Sequence, residues 1–183
     1  MPQLSRGGAF DVLLRDKNTP AGALTLLAQR LMTLLKPSGG RLILHDRADV
    51  ALAVGAAGVH LPESGMTTAD VRRIIGPHLL LGRSCHHSDC ACLHLQQGGD
   101  YVTLSPVFKT ASHPEVTPLG LKQFSHLCAA IPGPVLALGG IQADTVAVTL
   151  QAGASGVAVI RGILDTSDPA MAVRSMLTYI NKT

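Results

Sequence analysis

The sequence predicts an α/β fold: a parallel (β/α)8 barrel of the TIM type, missing or truncated in its first βα unit. Three observations predict it. Apolar residues make up 46% of the 183 and charged residues 15%, a balance that excludes disorder and suits a sheet buried on both faces. Short apolar runs alternate with polar-faced helical stretches at a spacing of roughly 25 residues, the rhythm of βα units. The last two apolar runs each end in glycines, at Gly139-Gly140 and Gly162, which suits the phosphate site that barrels form from the loops after their final two strands.

Taken in order, strands are expected at Asp11–Arg15, Arg41–Asp46, Gly58–Pro62, Leu79–Cys85, Tyr101–Phe108, Val135–Ile141 and Gly156–Ile163. Helices are expected between and after them, at Ala21–Leu35, Ala48–Val54, Thr68–Ile75, Ser88–Gln97, Gly120–Ala130, Asp144–Gln151 and Pro169–Asn181. Ser38-Gly39-Gly40, Gly98-Gly99-Asp100 and Ile131-Pro132-Gly133-Pro134 punctuate the chain as turns. Asp144 and Asp168-Pro169 read as helix starts, because an Asp side chain caps exposed N–H groups and Pro fits the first turn.

A closed barrel needs eight strands, and Met1 to Phe10 is too short for a strand, a loop and a helix. Either Met1–Leu4 supplies a vestigial edge or the first unit is absent. An unpaired edge invites a second copy, so a single barrel domain spanning 1–183 that forms a homo-oligomer is expected.

Composition also bounds the partners. The net charge of +3 is small and its cations are scattered, which argues against a nucleic-acid groove and allows weak attraction of anionic metabolites. Tryptophan is absent, so no aromatic platform for single strands is expected. No apolar run approaches a membrane span and no leader opens the chain, so a cytoplasmic location and no membrane partner are expected. Of the four cysteines, Cys85, Cys90 and Cys92 lie close together with His86, His87 and His94. On a helix Cys90 and His94 would share a face, but no second ligand pair follows, and reduced thiols at a helix start are expected rather than zinc.

Several residues stand where chemistry belongs. Arg15 and Lys17 alternate along the end of a strand and would face one side, as an anion contact or an exposed strand end. His45-Asp46 closes another strand, where catalytic residues of barrels sit. There an imidazole beside a carboxylate could move protons, or Asp46 could cap the next helix while His45 packs. His86 lies beside Ser84 at a strand end, and His113 lies in a loop with Thr110; either could serve as an acid/base, and His113 could equally face solvent. Gly139, Gly140 and the turn Val159-Ile160-Arg161-Gly162 could present backbone N–H groups to a phosphate. His60 is expected in the core or at its rim, and His78, His94 and His126 at the surface.

The order Leu14-Arg15-Asp16-Lys17, His45-Asp46-Arg47-Ala48-Asp49, Gly58-Val59-His60-Leu61, Gly82-Arg83-Ser84-Cys85-His86, Gly99-Asp100-Tyr101-Val102, Ser105-Pro106-Val107-Phe108-Lys109-Thr110 and Ala137-Leu138-Gly139-Gly140-Ile141 resembles the thiamine-phosphate synthase/TenI superfamily. The likeness runs from Asp11 to about Ile163. It implies a (β/α)8 barrel of thiamine biosynthesis that binds a small phosphorylated thiazole. One branch couples a pyrimidine pyrophosphate to a thiazole phosphate with Mg²⁺. The other, TenI, is a thiazole tautomerase, which requires no cofactor.

The resemblance implies that Arg15 and Lys17 meet a pyrophosphate. It implies that Ser84, Thr110 and Ser112 lie near the thiazole phosphate, and that Gly139, Gly140 and Val159 to Gly162 cradle it. Asp46 would be a metal ligand in the synthase case. The departures point to the second branch. Leu13 stands for the synthases' glutamine, His45 for their asparagine, Gly65 for their second magnesium aspartate, and His113 for their phosphate-loop lysine. Leu-Pro in place of Gly-Gln, and Gly82-Arg83-Ser84, also look like TenI, although the TenI catalytic histidine aligns with Pro106. The leading expectation is therefore a TenI-like tautomerase or a catalytically weakened relative. A thiamine-phosphate synthase and a non-catalytic ligand-binding or regulatory protein are the alternatives.

Overall fold

The computed structural model describes residues 10–112 and 114–180. The expected vestigial edge Met1–Leu4 and the candidate His113 lie outside them. Seven strands fall within the described residues: β1 (Asp11–Leu14), β2 (Arg41–His45), β3 (Gly58–Leu61), β4 (Leu80–Cys85), β5 (Tyr101–Leu104), β6 (Val135–Leu138) and β7 (Gly156–Ala158). The helices are α1 (Ala21–Leu35), α2 (Ala48–Val54), α3 (Thr68–Ile75), α4 (Ser88–Gln96), α5 (Gly120–Ala130), α6 (Val146–Gln151), α7 (Arg161–Leu164) and α8 (Pro169–Ile180). The class is the one expected: α/β, of the TIM-barrel type, with parallel strands each followed by a helix.

The described residues divide into two compact units, one within residues 10–83 with 96–100 and one within residues 84–95 with 101–180. In the first, β1 to β4 pair in parallel and in chain order, with His45 opposite His60 and His60 opposite Gly82. Alternation sorts each strand's side chains. Leu42, Leu44, Val59, Leu61 and Leu81 pack with Leu24 and Ala28 of α1, Val50 of α2 and Val71 of α3, each such leucine contributing about 1.5–3 kcal/mol by leaving water. His45 and His60 alternate to the other face and are also buried. Arg72 of α3 ties the N-terminal ends of the strands together. It donates to the carbonyls of Gly76, Leu79 and Gly98 at 2.8, 2.8 and 2.9 Å and pairs with Asp100 at 2.7 Å. Asp100 also accepts from the Leu81 N–H.

In the second unit β5, β6 and β7 pair in parallel. Val102, Leu104, Val135 and Ala137 form its core with Cys85, Phe124 of α5 and Val146 of α6.

Helix bounds agree with expectation more closely than strand bounds. β5, β6 and β7 end at Leu104, Leu138 and Ala158, three to five residues short of the expected ends. Pro106 has no N–H for a ladder, Gly139 and Gly140 turn to φ of +98° and +66°, and Arg161 to Leu164 coil into α7. Asp168 caps α8 by accepting from the Met171 N–H at 2.9 Å. Asp144 does not cap α6: a single 3₁₀ turn precedes that helix, closed by the Thr145 hydroxyl accepting from the Gln142 N–H at 2.9 Å.

Candidate functional site

The first unit gathers Arg15, Lys17, His45 and Asp46 at the C-terminal ends of β1 and β2. The expected strand continuation through Arg15 is not formed. The Asp16 carboxylate accepts from the N–H groups of Asn18 and Thr19 at 3.1 Å and from the Thr19 hydroxyl at 2.6 Å. Those bonds hold its pKa below the ordinary carboxylate value and bend the chain into a turn. Arg15 and Lys17 are therefore exposed loop cations rather than neighbours on a strand face.

Both cations act on His45, which is 9% exposed. Burial lowers its pKa most, Arg15 and then Lys17 lower it further, and Asp46 opposes them. The ring is accordingly neutral at pH 7. Asp46 adopts φ +56°, the one left-handed non-glycine residue among the described residues, and its N–H donates to the His60 carbonyl at 3.0 Å. Asp tolerates this conformation better than most residues, and such outliers concentrate where geometry is functional.

Position 65 faces Asp46. A Cβ built on Gly65 would stand 3.3 Å from Asp46 Oδ1, and 2.9 and 3.0 Å from the Pro62 ring. Glycine here supplies no carboxylate from position 65, and Pro62 makes any larger residue displace the loop. That loop is clamped by Arg83, 7% exposed, which donates to the carbonyls of Pro62 and Glu63 at 3.0 Å and to that of Met66. Sequence reasoning missed this role; a charged residue inside the apolar run Leu80–Cys85 was the signal. A cavity of about 280 Å³ lies beside Asp46, lined by Arg47, Val59, Leu61, Met66 and Ile74 among others. Arg15, Lys17 and His45 do not line this recess, whose apolar walls lie on the helix side of the strands and whose charged lining is Asp46, Arg47 and Asp49.

The second unit brings together the loops after β4, β5, β6 and β7. His86 Nδ1 donates to the Ser105 carbonyl at 2.6 Å; because that oxygen only accepts, a neutral ring keeps its lone pair on Nε2. Ser84 is half-buried at the end of β4. A Cβ on Gly139 would meet Pro106 at 2.7 Å, one on Gly140 the Lys109 carbonyl at 2.5 Å, and one on Gly162 the Ile141 carbonyl at 2.6 Å. These glycines thus permit backbone to pack on backbone. Close packing is thus a requirement for glycine here beside the expected one, the approach of backbone amides to an anion. Thr110 is half-buried and Ser112 exposed on the β5–α5 loop, and Thr110 Oγ1 accepts from the Ser112 N–H at 3.4 Å. Val159 and Ile160 form the turn into α7, with Arg161 exposed and paired to Asp165 at 2.7 Å.

Two smaller expectations also resolve. His60 is buried as expected, at 2%, but His94, expected at the surface, is 1% exposed. No group of three or more His, Cys, Asp or Glu side chains among the described residues is arranged to hold a metal.

Comparison with known proteins follows the same lines. The family described as thiamine monophosphate synthase matches residues 2–163. The thiamine-phosphate synthase of Roseiflexus sp. (strain RS-1) is 40% identical over 176 residues, covering 96% of this chain and 75% of that protein. The thiamine-phosphate synthase of Anaeromyxobacter dehalogenans (strain 2CP-C) is 40% identical over 172 residues, covering 93% of this chain and 77% of that protein. A thiamine phosphate pyrophosphorylase from Pyrococcus furiosus superposes with a TM-score of 0.86 at 29% identity, covering 97% of this chain and 85% of that one. Matched in sequence over residues 2–163 and in fold over most of its length, the chain belongs to the thiamine monophosphate synthase family.

Proposed function

We propose that this protein is a thiamine-phosphate synthase, which joins hydroxymethylpyrimidine pyrophosphate to thiazole phosphate and releases pyrophosphate. The observation that carries the reading is 40% identity, over more than nine-tenths of the chain, to proteins named for that activity. Those names support the synthase over the TenI-like tautomerase that the departures in the sequence put first.

In this reading Arg15 and Lys17, exposed on the loop after β1, neutralise the pyrophosphate. His45, kept neutral by burial and by those same cations, offers hydrogen bonds without adding charge. The thiazole phosphate lies against the hydroxyls of Ser84, Thr110 and Ser112 and the backbone of Gly139, Gly140 and Val159 to Gly162. His86, oriented by its bond to Ser105, is the acid/base candidate of that unit.

The donor set fits a Mg²⁺ carried by the substrate and does not fit a resident cage. One carboxylate plus substrate phosphates suffices for magnesium, Asp46 would hold it, and Gly65 opposite supplies no second ligand. When bound, the ion would offset the charge of the departing pyrophosphate. The family's small phosphorylated ligands, a cytoplasmic setting and a homo-oligomer complete the proposal. Leu26 and Leu34 of α1, 61% and 74% exposed, support association with a second copy. No helix among the described residues is long and apolar enough to cross a membrane.

A second reading, the tautomerase or a binding relative of it, is favoured by Gly65, because the lost carboxylate weakens metal-assisted departure of pyrophosphate. Incubation with both substrates and Mg²⁺ separates the two. Formation of thiamine phosphate, reduced on the order of a hundredfold in Asp46→Asn, supports the synthase. Isomerisation of the thiazole carboxylate phosphate without Mg²⁺ would replace it with the tautomerase, and binding without turnover with a ligand-binding protein.

A further inference from the structure

The β4–α4 junction carries chemistry that the synthase reading does not use. Cys85 closes β4 and is buried, whereas Cys90, the third residue of α4, is half-buried. Their Sγ atoms lie 2.8 Å apart, and both residues are thiols. A disulfide bond is about 2.05 Å long, so closing it asks the two sulfurs to approach by less than about 1 Å. The remaining cysteines are committed elsewhere. Cys92 Sγ donates to the Ala130 carbonyl at 3.7 Å, and Cys128 lies against Gly153, with burial pushing its thiol up to about 11.

We propose that Cys85 and Cys90 form a reversible intramolecular disulfide when the protein meets a hydroperoxide. Cys90, the more accessible sulfur, attacks the peroxide oxygen and becomes a sulfenic acid, releasing one water from hydrogen peroxide. The Cys85 sulfur then attacks Cys90 sulfur, the S–O bond breaks, and the hydroxide leaves as a second water with the Cys85 proton. Two thiols lose two electrons and two protons in all, and one peroxide takes them up as two waters. A dithiol reductant reverses the step by thiol–disulfide exchange.

The bond would staple the end of β4 to the first turn of α4 across residues 86–89. That segment carries His86, tied to the Ser105 carbonyl, and follows Ser84, so the link makes the loop after β4 sensitive to oxidation. Only this consequence for the ligand rests on the synthase reading; formation of the bond does not.

The test is peptide mapping by mass after treating the intact chain with stoichiometric hydrogen peroxide and alkylating the remaining thiols. The expected result is two of the four thiols lost, with a crosslinked Cys85–Cys90 peptide about 2 Da lighter than the reduced pair and restored by dithiothreitol. Cys92→Ser should still form the link, and Cys90→Ser should not. Wild-type mapping decides alone if that variant fails to fold. Four alkylated thiols after treatment, a crosslink through Cys92 or Cys128, or Cys90 carried to the sulfinic acid with Cys85 untouched would each overturn the proposal.

Discussion

At the ends of β1 and β2 the candidate groups are side chains on an exposed loop and a strand end, Arg15, Lys17, His45 and Asp46. After β5, β6 and β7 the candidate surface is made of backbone held against backbone by Gly139, Gly140 and Gly162. The difference teaches where stability and binding separate. A loop cation can change without disturbing the fold, whereas a glycine that admits a neighbouring chain cannot change without moving it.

The largest effect should come from that second surface. Gly140→Ala places a Cβ 2.5 Å from the Lys109 carbonyl at φ +66° and is expected to cost more than about 3 kcal/mol, read as a lost or sharply lowered thermal transition. Lys17→Ala, by contrast, should shift stability by no more than about 0.5 kcal/mol while weakening pyrophosphate binding in calorimetry. If both variants melt alike, the contrast between the two regions collapses.

Next in size is the clamp on the loop after β3. Arg83→Met removes the donor that the carbonyls of Pro62, Glu63 and Met66 share, of which Pro62 keeps the Gly65 N–H, at a cost of about 2–3 kcal/mol in denaturant unfolding. Arg83→Lys should recover part of it. A wild-type midpoint for the methionine variant would mean the loop holds itself.

The smallest effect is electrostatic and follows pH. Burial, Arg15 and Lys17 hold the His45 pKa below 6.5, so the unfolded chain takes up that proton first as pH falls. Stability from the neutral ring is therefore complete above about 6.5 and is lost as pH drops from there through the lowered folded value. His45→Gln should flatten this part of a stability profile measured from pH 7.5 to 5. Equal slopes in both proteins would detach His45 from the cations.

The βα rhythm was legible because it is written in local terms. Alternating apolar runs, glycine and proline stops, and Asp168 before Pro169 needed no knowledge of the rest of the chain, and α1, α2, α3 and α5 came out to the residue. The candidate site residues were legible as types at strand ends, so Arg15, His45, Asp46, Ser84 and His86 could be named. Their reasons were less accessible. Nothing in Leu14-Arg15-Asp16-Lys17 states that the Thr19 hydroxyl donates back to Asp16, and a short charged stretch extends or turns with nearly equal ease.

By itself, then, the sequence determined the succession of strands and helices, the family likeness and the polar residues at the strand ends, since each depends on neighbours along the chain. Tertiary structure alone decided that Gly65 faces Asp46, that Arg83 holds the loop between them, that His94 is buried, and that Cys85 meets Cys90. Those facts depend on approaches of a few ångströms between residues distant or differently oriented along the chain, which close packing sets and local propensity does not encode.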